Sequence, residues 1–177
     1  MKISAYIQKY DQTKMFDVIY YPDPNRWEVC RDLTSQFMPE EGWSNYIKYL
    51  DDNGEISQEI RQVTRKHGGI YVFFIQGDTL PFCERYLAYI GRAQLTEKQS
   101  IGKRLCEYLR ESQKESSRPL IPRLFHYWKD KLYVRYYLSD DNSQIVNGES
   151  ALIKSILPPF NDDMPDTVVL KEPQKAF

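Results

Sequence analysis

Residues 68–75 read Gly-Gly-Ile-Tyr-Val-Phe-Phe-Ile, and residues 86–91 read Tyr-Leu-Ala-Tyr-Ile-Gly. Both runs are rich in β-branched and aromatic residues, which favour strands. The glycine pair Gly68-Gly69 marks the start of the first run, and the polar segment 76–85 separates it from the second. The pattern therefore predicts two strands that pair as a hairpin across a long loop.

Downstream of the hairpin, the pattern changes period. Apolar residues at helical spacing predict a helix over 96–112, which opens on the capping-box pair Thr96 and Gln99. Residues 113–130 are polar and interrupted by proline, which indicates a loop. Residues 132–138 are strongly aromatic and predict a third strand.

A last helix is predicted from Gly148 to the Pro158-Pro159 pair, which cannot continue it. From residue 69 the order is then β-β-α-β-α. This order is typical of an α+β domain, with a small antiparallel three-stranded sheet flanked by helices, and does not fit a doubly wound parallel sheet. We expect this domain to span 67–163, preceded by an extension, 1–66, and followed by a tail, 164–177.

The extension alternates short β-like pieces at 2–8 and 15–21 with helical pieces at 39–50 and 55–66. Its net charge is −2, from nine Lys/Arg and eleven Asp/Glu, so an electrostatic DNA clamp is the weaker expectation. It holds enough aromatic and apolar residues to pack. Dimerisation, DNA contacts or partner contacts are predicted for it, and packing onto the rest of the chain is the alternative.

The overall composition excludes several classes of protein. Hydrophobic residues make up 41% and charged residues 28% of the chain, a globular balance. Three cysteines form no CxxC pair, and two histidines match no zinc spacing, which favours a reducing, cytoplasmic setting. The apolar runs are too short for a bilayer, so no membrane partner is expected.

The net charge of −1 hides an uneven distribution. Residues 92–135 hold eleven Lys/Arg against five acids, a local excess of +6. A basic strip of this kind can follow a phosphate backbone even on a neutral protein, whereas a solvated helix face of mixed charges is the alternative. The candidate DNA contacts are Arg92, Lys98, Lys103 and Arg110.

Two tripeptides on the predicted hairpin carry a family resemblance. Gly69-Ile70-Tyr71 and Tyr89-Ile90-Gly91 resemble the two name-giving motifs of the GIY-YIG nucleases. The remaining positions of that family's pattern follow in order within 67–163, namely Arg104 and Tyr108 on the next helix, Glu149 at the start of the last helix and Asn161 after a Pro-Pro-Phe break. The segment 76–85 is longer than the family's tight hairpin and leaves room for contacts with DNA or a partner.

The resemblance implies a DNA endonuclease that uses one Mg²⁺ or Mn²⁺ ion and leaves 5′-phosphate and 3′-hydroxyl ends. Tyr71 would act as the general base, and Glu149 would hold the ion. Arg104 would grip a phosphate oxygen or the attacking water, a task that suits its planar fork of donors. A single hard carboxylate is enough for a Mg²⁺ that keeps most of its waters.

The resemblance also implies supporting roles. Tyr89 would orient the nucleophile, Tyr108 would support the phosphate side, and Asn161 would fix the end of the last helix against the site. Because the sequence shows no second DNA-binding module, a restriction or phage-defence enzyme is expected. A structure-specific repair or recombination nuclease, and a non-catalytic nucleic-acid-binding module, are the alternatives.

Overall fold

The fold is described from a computed structural model over residues 24–78, 85–113 and 120–161. The predicted strands at 2–8 and 15–21, the middle of the long loop at 79–84 and the tail 164–177 lie outside the described residues.

The described residues form four strands, five α-helices and three 3₁₀ turns. The strands are β1 (Ile47–Lys48), β2 (Gly68–Gln76), β3 (Arg85–Ala93) and β4 (Leu132–Ser139). The α-helices are α1 (Pro24–Thr34), α2 (Gln58–Arg61), α3 (Ile101–Glu111), α4 (Leu120–Trp128) and α5 (Asn142–Ile156). Three 3₁₀ turns lie at Ser35–Phe37, Glu40–Gly42 and Lys129–Lys131.

The strands pair antiparallel in one four-stranded sheet of order β1-β4-β2-β3. The α+β class and the β2–β3 hairpin are therefore confirmed. The prediction of three strands is wrong, because β1 of the extension joins the sheet by pairing with β4. A strand of two residues is too short to show the alternation of apolar and polar residues, so β1 is recognisable only by its pairing with β4.

The helix predicted at 39–50 is also wrong. This segment is a 3₁₀ turn followed by β1, and the backbone of Tyr49 donates to Leu132 while its hydroxyl donates to the carbonyl of Leu105, each over a short distance (2.9 and 2.7 Å). These long-range bonds override the local helical spacing. The helix predicted at 55–66 is reduced to α2, whose N-cap Ser57 accepts from the amide of Ile60.

The loop predicted at 113–130 is wrong in its second half, where α4 lies. Pro122 falls in the first turn of this helix, where its missing N–H is not needed, so it does not break the helix. Five apolar side chains of α4 are buried, which explains why a helix forms here, namely Leu120, Ile121, Pro122, Leu124 and Phe125. From β2 onward the order is β-β-α-α-β-α.

Two helix starts differ from the predictions. Helix α3 begins at Ile101, capped by Ser100, whereas the Thr96–Gln99 pair forms the turn before it. Helix α5 begins six residues before Gly148, capped by Asp141, whose carboxylate accepts from the amides of the first turn. Glu149 therefore lies in the middle of the last helix and not at its start.

The sheet separates two cores. One face, here called the tyrosine face, carries Tyr71, Phe73 and Tyr89 and is covered by α3 and α4. The opposite face, here called the isoleucine face, carries Ile70 and Val72 together with Ile90, and is covered by α5.

The described part of the extension contributes to both cores. Phe37 packs on the isoleucine face, and α1 lies against α5. Tyr49 and Ile60 are fully buried on the tyrosine face. Within the described ranges, no helix is long and apolar enough to cross a membrane.

Candidate active site

The candidate site begins where β2 and β3 run side by side, with Tyr71 opposite Gly91. A Cβ atom at Gly91 would lie 2.6 Å from the ring and hydroxyl of Tyr71, so only glycine leaves room for this ring. The tyrosine thus reaches across β3, an edge strand of the described sheet, and its hydroxyl oxygen lies 3.4 Å from the carbonyl oxygen of Arg92. The two motif tripeptides therefore depend on each other, because Tyr71 of the first occupies the space above Gly91 of the second.

Gly69 is required for a different reason. Its φ is +154°, and a Cβ atom there would lie 2.1 Å from the backbone oxygen of Tyr137 on β4. A side chain at this position would push β2 and β4 apart. Glycine therefore sets the close packing of the strand that carries Tyr71.

Three tyrosine hydroxyls meet beneath α3. The Tyr71 and Tyr108 hydroxyls are 2.6 Å apart, and the Tyr108 hydroxyl donates to that of Tyr89 at 3.2 Å. Because a phenol has one proton, Tyr108 then accepts from Tyr71. Tyr89 is 9% exposed, against 1% for Tyr71 and 0% for Tyr108, so Tyr89 is the member of the chain nearest to solvent.

Burial raises the pKa of two of these phenols, Tyr71 and Tyr108. Desolvation raises the pKa of Tyr71 above its ordinary value, the neighbouring Tyr89 adds to the rise, and the positive charge of Arg104 only partly opposes it. Burial also raises the pKa of Tyr108. At neutral pH Tyr71 is a neutral phenol, which can take up a proton only while it hands its own onward.

Arg104 lies over this cluster, with its guanidinium carbon 4.5 Å from the centre of the Tyr108 ring. It pairs with Glu111 at 2.6 Å and with Glu107 at 3.3 Å. Burial alone would lower its pKa, but the phenols of Tyr71 and Tyr108 and the Glu111 carboxylate raise it overall. The guanidinium is thus always charged, and a phosphate would compete with two carboxylates for it.

Glu149 projects from α5 and forms an ion pair with Arg92. Arg92 is the register partner of Ile70, so its side chain lies on the isoleucine face, opposite Tyr71. The structure therefore does not place Glu149 on the same sheet face as the three tyrosines. The two groups meet at the edge of β3, where the carbonyl oxygen of Arg92 lies 3.4 Å from the Tyr71 hydroxyl and the Arg92 side chain binds Glu149.

Asn161 is buried against the same edge. Its side-chain oxygen accepts from the amide of Ile90 at 3.0 Å, and its nitrogen donates to the carbonyl of Ile90 at 2.7 Å. The amide of Phe160 donates to Ala88. The segment after α5 is thereby attached to β3 between Tyr89 and Gly91.

The residues present fit a lightly held Mg²⁺ and not a preformed cage. Among residues 24–78, 85–113 and 120–161, no group of three or more His, Cys, Asp or Glu is placed to hold a metal ion. Glu149 offers one hard carboxylate at the sheet edge, and Mg²⁺ commonly binds through one or two carboxylates, waters and substrate phosphate. Substrate would have to complete such a site.

The four candidate DNA contacts are all exposed. Lys98 lies in the turn before α3, and Lys103 and Arg110 are seven residues apart on α3, so they share one face of it. Arg92 differs, because it is engaged by Glu149. The two acidic residues of α3 pair with Arg104, which leaves the outer face of α3 basic.

Sequence reasoning missed the residues that hold Arg104. Glu107 and Glu111 follow it at spacings of three and seven, which place them on its side of the helix, so the pattern could have shown them. The Arg92–Glu149 pair joins residues 57 apart in the chain, and no local signal reports it.

Comparisons of the chain with protein-family models, with curated proteins and with solved structures give no match. The functional interpretation therefore rests on the sequence pattern and the geometry of the site.

Proposed function

We propose that this chain is a metal-dependent DNA endonuclease of the GIY-YIG type, which hydrolyses phosphodiester bonds to 5′-phosphate and 3′-hydroxyl ends. The observation that carries the proposal is the convergence on the edge of β3. The hydroxyl chain of Tyr71, Tyr108 and Tyr89 and the carboxylate of Glu149 approach this edge from opposite faces, and Arg92 touches both. A phosphodiester lying along this edge would meet both groups.

Charge on the phosphate would be neutralised first by Arg104. Its pKa is raised, so it stays cationic, and its fork of donors would exchange the carboxylates of Glu107 and Glu111 for two phosphate oxygens. Glu107 and Glu111 hold the guanidinium in place before substrate arrives. Lys103 and Arg110 would contact neighbouring phosphates along the strip and add salt-sensitive binding.

Proton removal from the attacking water would run through Tyr71. The water proton moves to the Tyr71 hydroxyl as that group passes its own proton to Tyr108, and Tyr108 donates in turn to Tyr89. The proton leaves at Tyr89, which is the most exposed of the three. In this way a neutral tyrosine acts as a base without forming a buried phenolate.

Glu149 would hold one Mg²⁺ or Mn²⁺ ion. When bound, the ion would supply charge neutralisation on the phosphate and on the leaving oxygen. Helix α5 and Asn161 position the carboxylate relative to β3, because both pack directly on that strand. A restriction or phage-defence role is the setting we propose, with double-strand cleavage by a homodimer that uses residues 1–66 for part of its contacts.

A non-catalytic nucleic-acid-binding module is the second candidate. The observation in its favour is that both charged groups of the site, Arg104 and Glu149, are already engaged in ion pairs. Basic residues on the outer face of α3 would bind a phosphate backbone without any turnover.

A plasmid-nicking assay tests the proposal. Supercoiled DNA is incubated with the protein in Mg²⁺, Mn²⁺ or EDTA, and the cut ends are mapped. We expect cleavage only with the divalent ions and ends that DNA ligase can rejoin. Cutting in EDTA, or 3′-phosphate ends, would contradict the proposal, and salt-dependent binding without any cleavage would support the binding module instead.

A further inference from the structure

The ion pair between Arg92 and Glu149 occupies the carboxylate that the proposed metal ion needs. The Glu149 side chain is 13% exposed and the Arg92 side chain is 39% exposed, so the arginine is the more accessible partner. A charge-assisted pair of this kind is among the stronger hydrogen bonds in proteins. In the free protein, Arg92 therefore competes with a cation for Glu149.

The two partners differ in their freedom to move. Glu149 follows Gly148, where a Cβ atom would lie 2.4 Å from the Phe37 ring and 3.1 Å from Ile70, so this turn of α5 is packed directly on the core. Arg92 has a long side chain on an edge strand. Any exchange of partners is thus expected to move the arginine and leave the carboxylate in place.

We propose that Arg92 weakens metal binding at Glu149 until a phosphate of the substrate binds the Arg92 guanidinium in place of the carboxylate. Tight metal binding at Glu149 then depends on bound DNA. This inference rests on the proposed nuclease function. The guanidinium fork binds phosphate as well as carboxylate, and the exchange leaves Glu149 beside the phosphate that would complete the metal site. By linkage, metal and DNA must then strengthen each other's binding equally.

The first measurement is Mn²⁺ binding without DNA, by titration calorimetry and by electron paramagnetic resonance of free Mn²⁺. Arg92→Gln is expected to bind Mn²⁺ about tenfold more tightly than the parent, the size of one charged hydrogen bond. The gain should vanish in the double variant Arg92→Gln/Glu149→Gln. Arg61→Gln is the matched control, since it breaks an exposed ion pair with Glu55 and should change nothing.

The second measurement is the affinity for a short DNA duplex in Ca²⁺ and in EDTA. The affinity in Ca²⁺ divided by the affinity in EDTA should fall about tenfold in Arg92→Gln, because this variant has no arginine that DNA must draw away from Glu149. An unchanged ratio would overturn the release step.

Equal Mn²⁺ affinities for Arg92→Gln and the parent would overturn the proposed competition by Arg92, provided that Glu149→Gln weakens Mn²⁺ binding in both proteins. If Glu149→Gln binds Mn²⁺ as the parent does, the metal assignment of the proposed function fails as well. These two failures are therefore distinguishable. Thermal unfolding of each variant shows that it is folded before binding is compared.

Discussion

The two faces of the sheet bury different chemistry although the same strands build both. The tyrosine face places three hydrogen-bonded hydroxyls inside an aromatic core, and it also buries Tyr49, whose hydroxyl donates to a backbone carbonyl. The isoleucine face buries an apolar core and keeps its charged pair, Arg92 and Glu149, at the rim. A phenol brings a transferable proton into a core without adding a buried charge, whereas the carboxylate of Glu149, only 13% exposed, needs Arg92 to compensate its charge.

The largest effect is expected from replacing Glu149, at the rim of the isoleucine face. Glu149→Ala is expected to abolish metal-dependent DNA cleavage, because metal capture depends on this side chain. DNA binding in EDTA should persist, because it draws on the basic residues of α3 and on the released Arg92. Cleavage assays and duplex titrations measure the two properties, with the exposed-site variant Glu59→Ala as control. Near-normal cleavage at ordinary Mg²⁺ would remove Glu149 from the site.

The next effect compares two buried tyrosines of the tyrosine face. Tyr71→Phe is expected to slow cleavage by at least ~10²-fold, the low end for general acid–base catalysis. Tyr49→Phe removes an equally buried hydroxyl, so each variant should lose about 1 kcal/mol of unfolding free energy, but Tyr49→Phe should keep its cleavage rate. Single-turnover rates and denaturant unfolding measure both. An active Tyr71→Phe would move the proton acceptor elsewhere.

A third comparison uses two glycines that face aromatic rings. Gly91→Ala forces a methyl group against Tyr71, and Gly42→Ala forces one against Tyr137, where the new carbon would lie 2.4 Å from a ring carbon. Both variants are expected to lose about 1–3 kcal/mol of unfolding free energy through overpacking. Only Gly91→Ala should also lose cleavage activity, because only it displaces a site tyrosine. Equal activity in the two folded variants would contradict the arrangement of Tyr71 over Gly91.

The smallest effect is a dependence of stability on alkaline pH. The folded-state pKa values of Tyr71 and Tyr108 are raised, so their stabilising contribution is complete below the unfolded tyrosine value near 10 and is lost as pH rises above it. Each such group contributes a slope of at most about 1.4 kcal/mol per pH unit in that range. Tyr71→Phe should therefore lose less stability than the parent between pH 9 and pH 11, whereas Tyr86→Phe, at an exposed position, should follow the parent. If the unfolding free energies of all three proteins fall equally with pH, the pKa of Tyr71 is the same in the folded and the unfolded protein.

Several features could be predicted because they depend on neighbours in the chain. The β-branched and aromatic runs predict β2 and β3, and the hairpin follows from their proximity. Arg104 and Tyr108 are four residues apart on a helix, so their shared face is a consequence of helical geometry. Charge counting likewise predicts the basic face of α3.

Other features were decided by contacts between distant segments, and the predictions failed there. Strand β1 exists because β4 offers an edge to pair with, and α4 forms because its apolar side chains cover the tyrosine face. Propensity over 39–50 and 113–130 was too weak to compete with that burial and pairing.

The sequence by itself determined which chemical groups this protein carries on the β2–β3 hairpin, the helix after it and the last helix, because residue type and spacing are local properties. Only the tertiary structure decided their states. The raised pKa of Tyr71 follows from burial under α3, and the engagement of Glu149 follows from Arg92 on β3. Desolvation and ion pairing depend on the groups that surround a side chain in space, and those groups come from distant parts of the sequence.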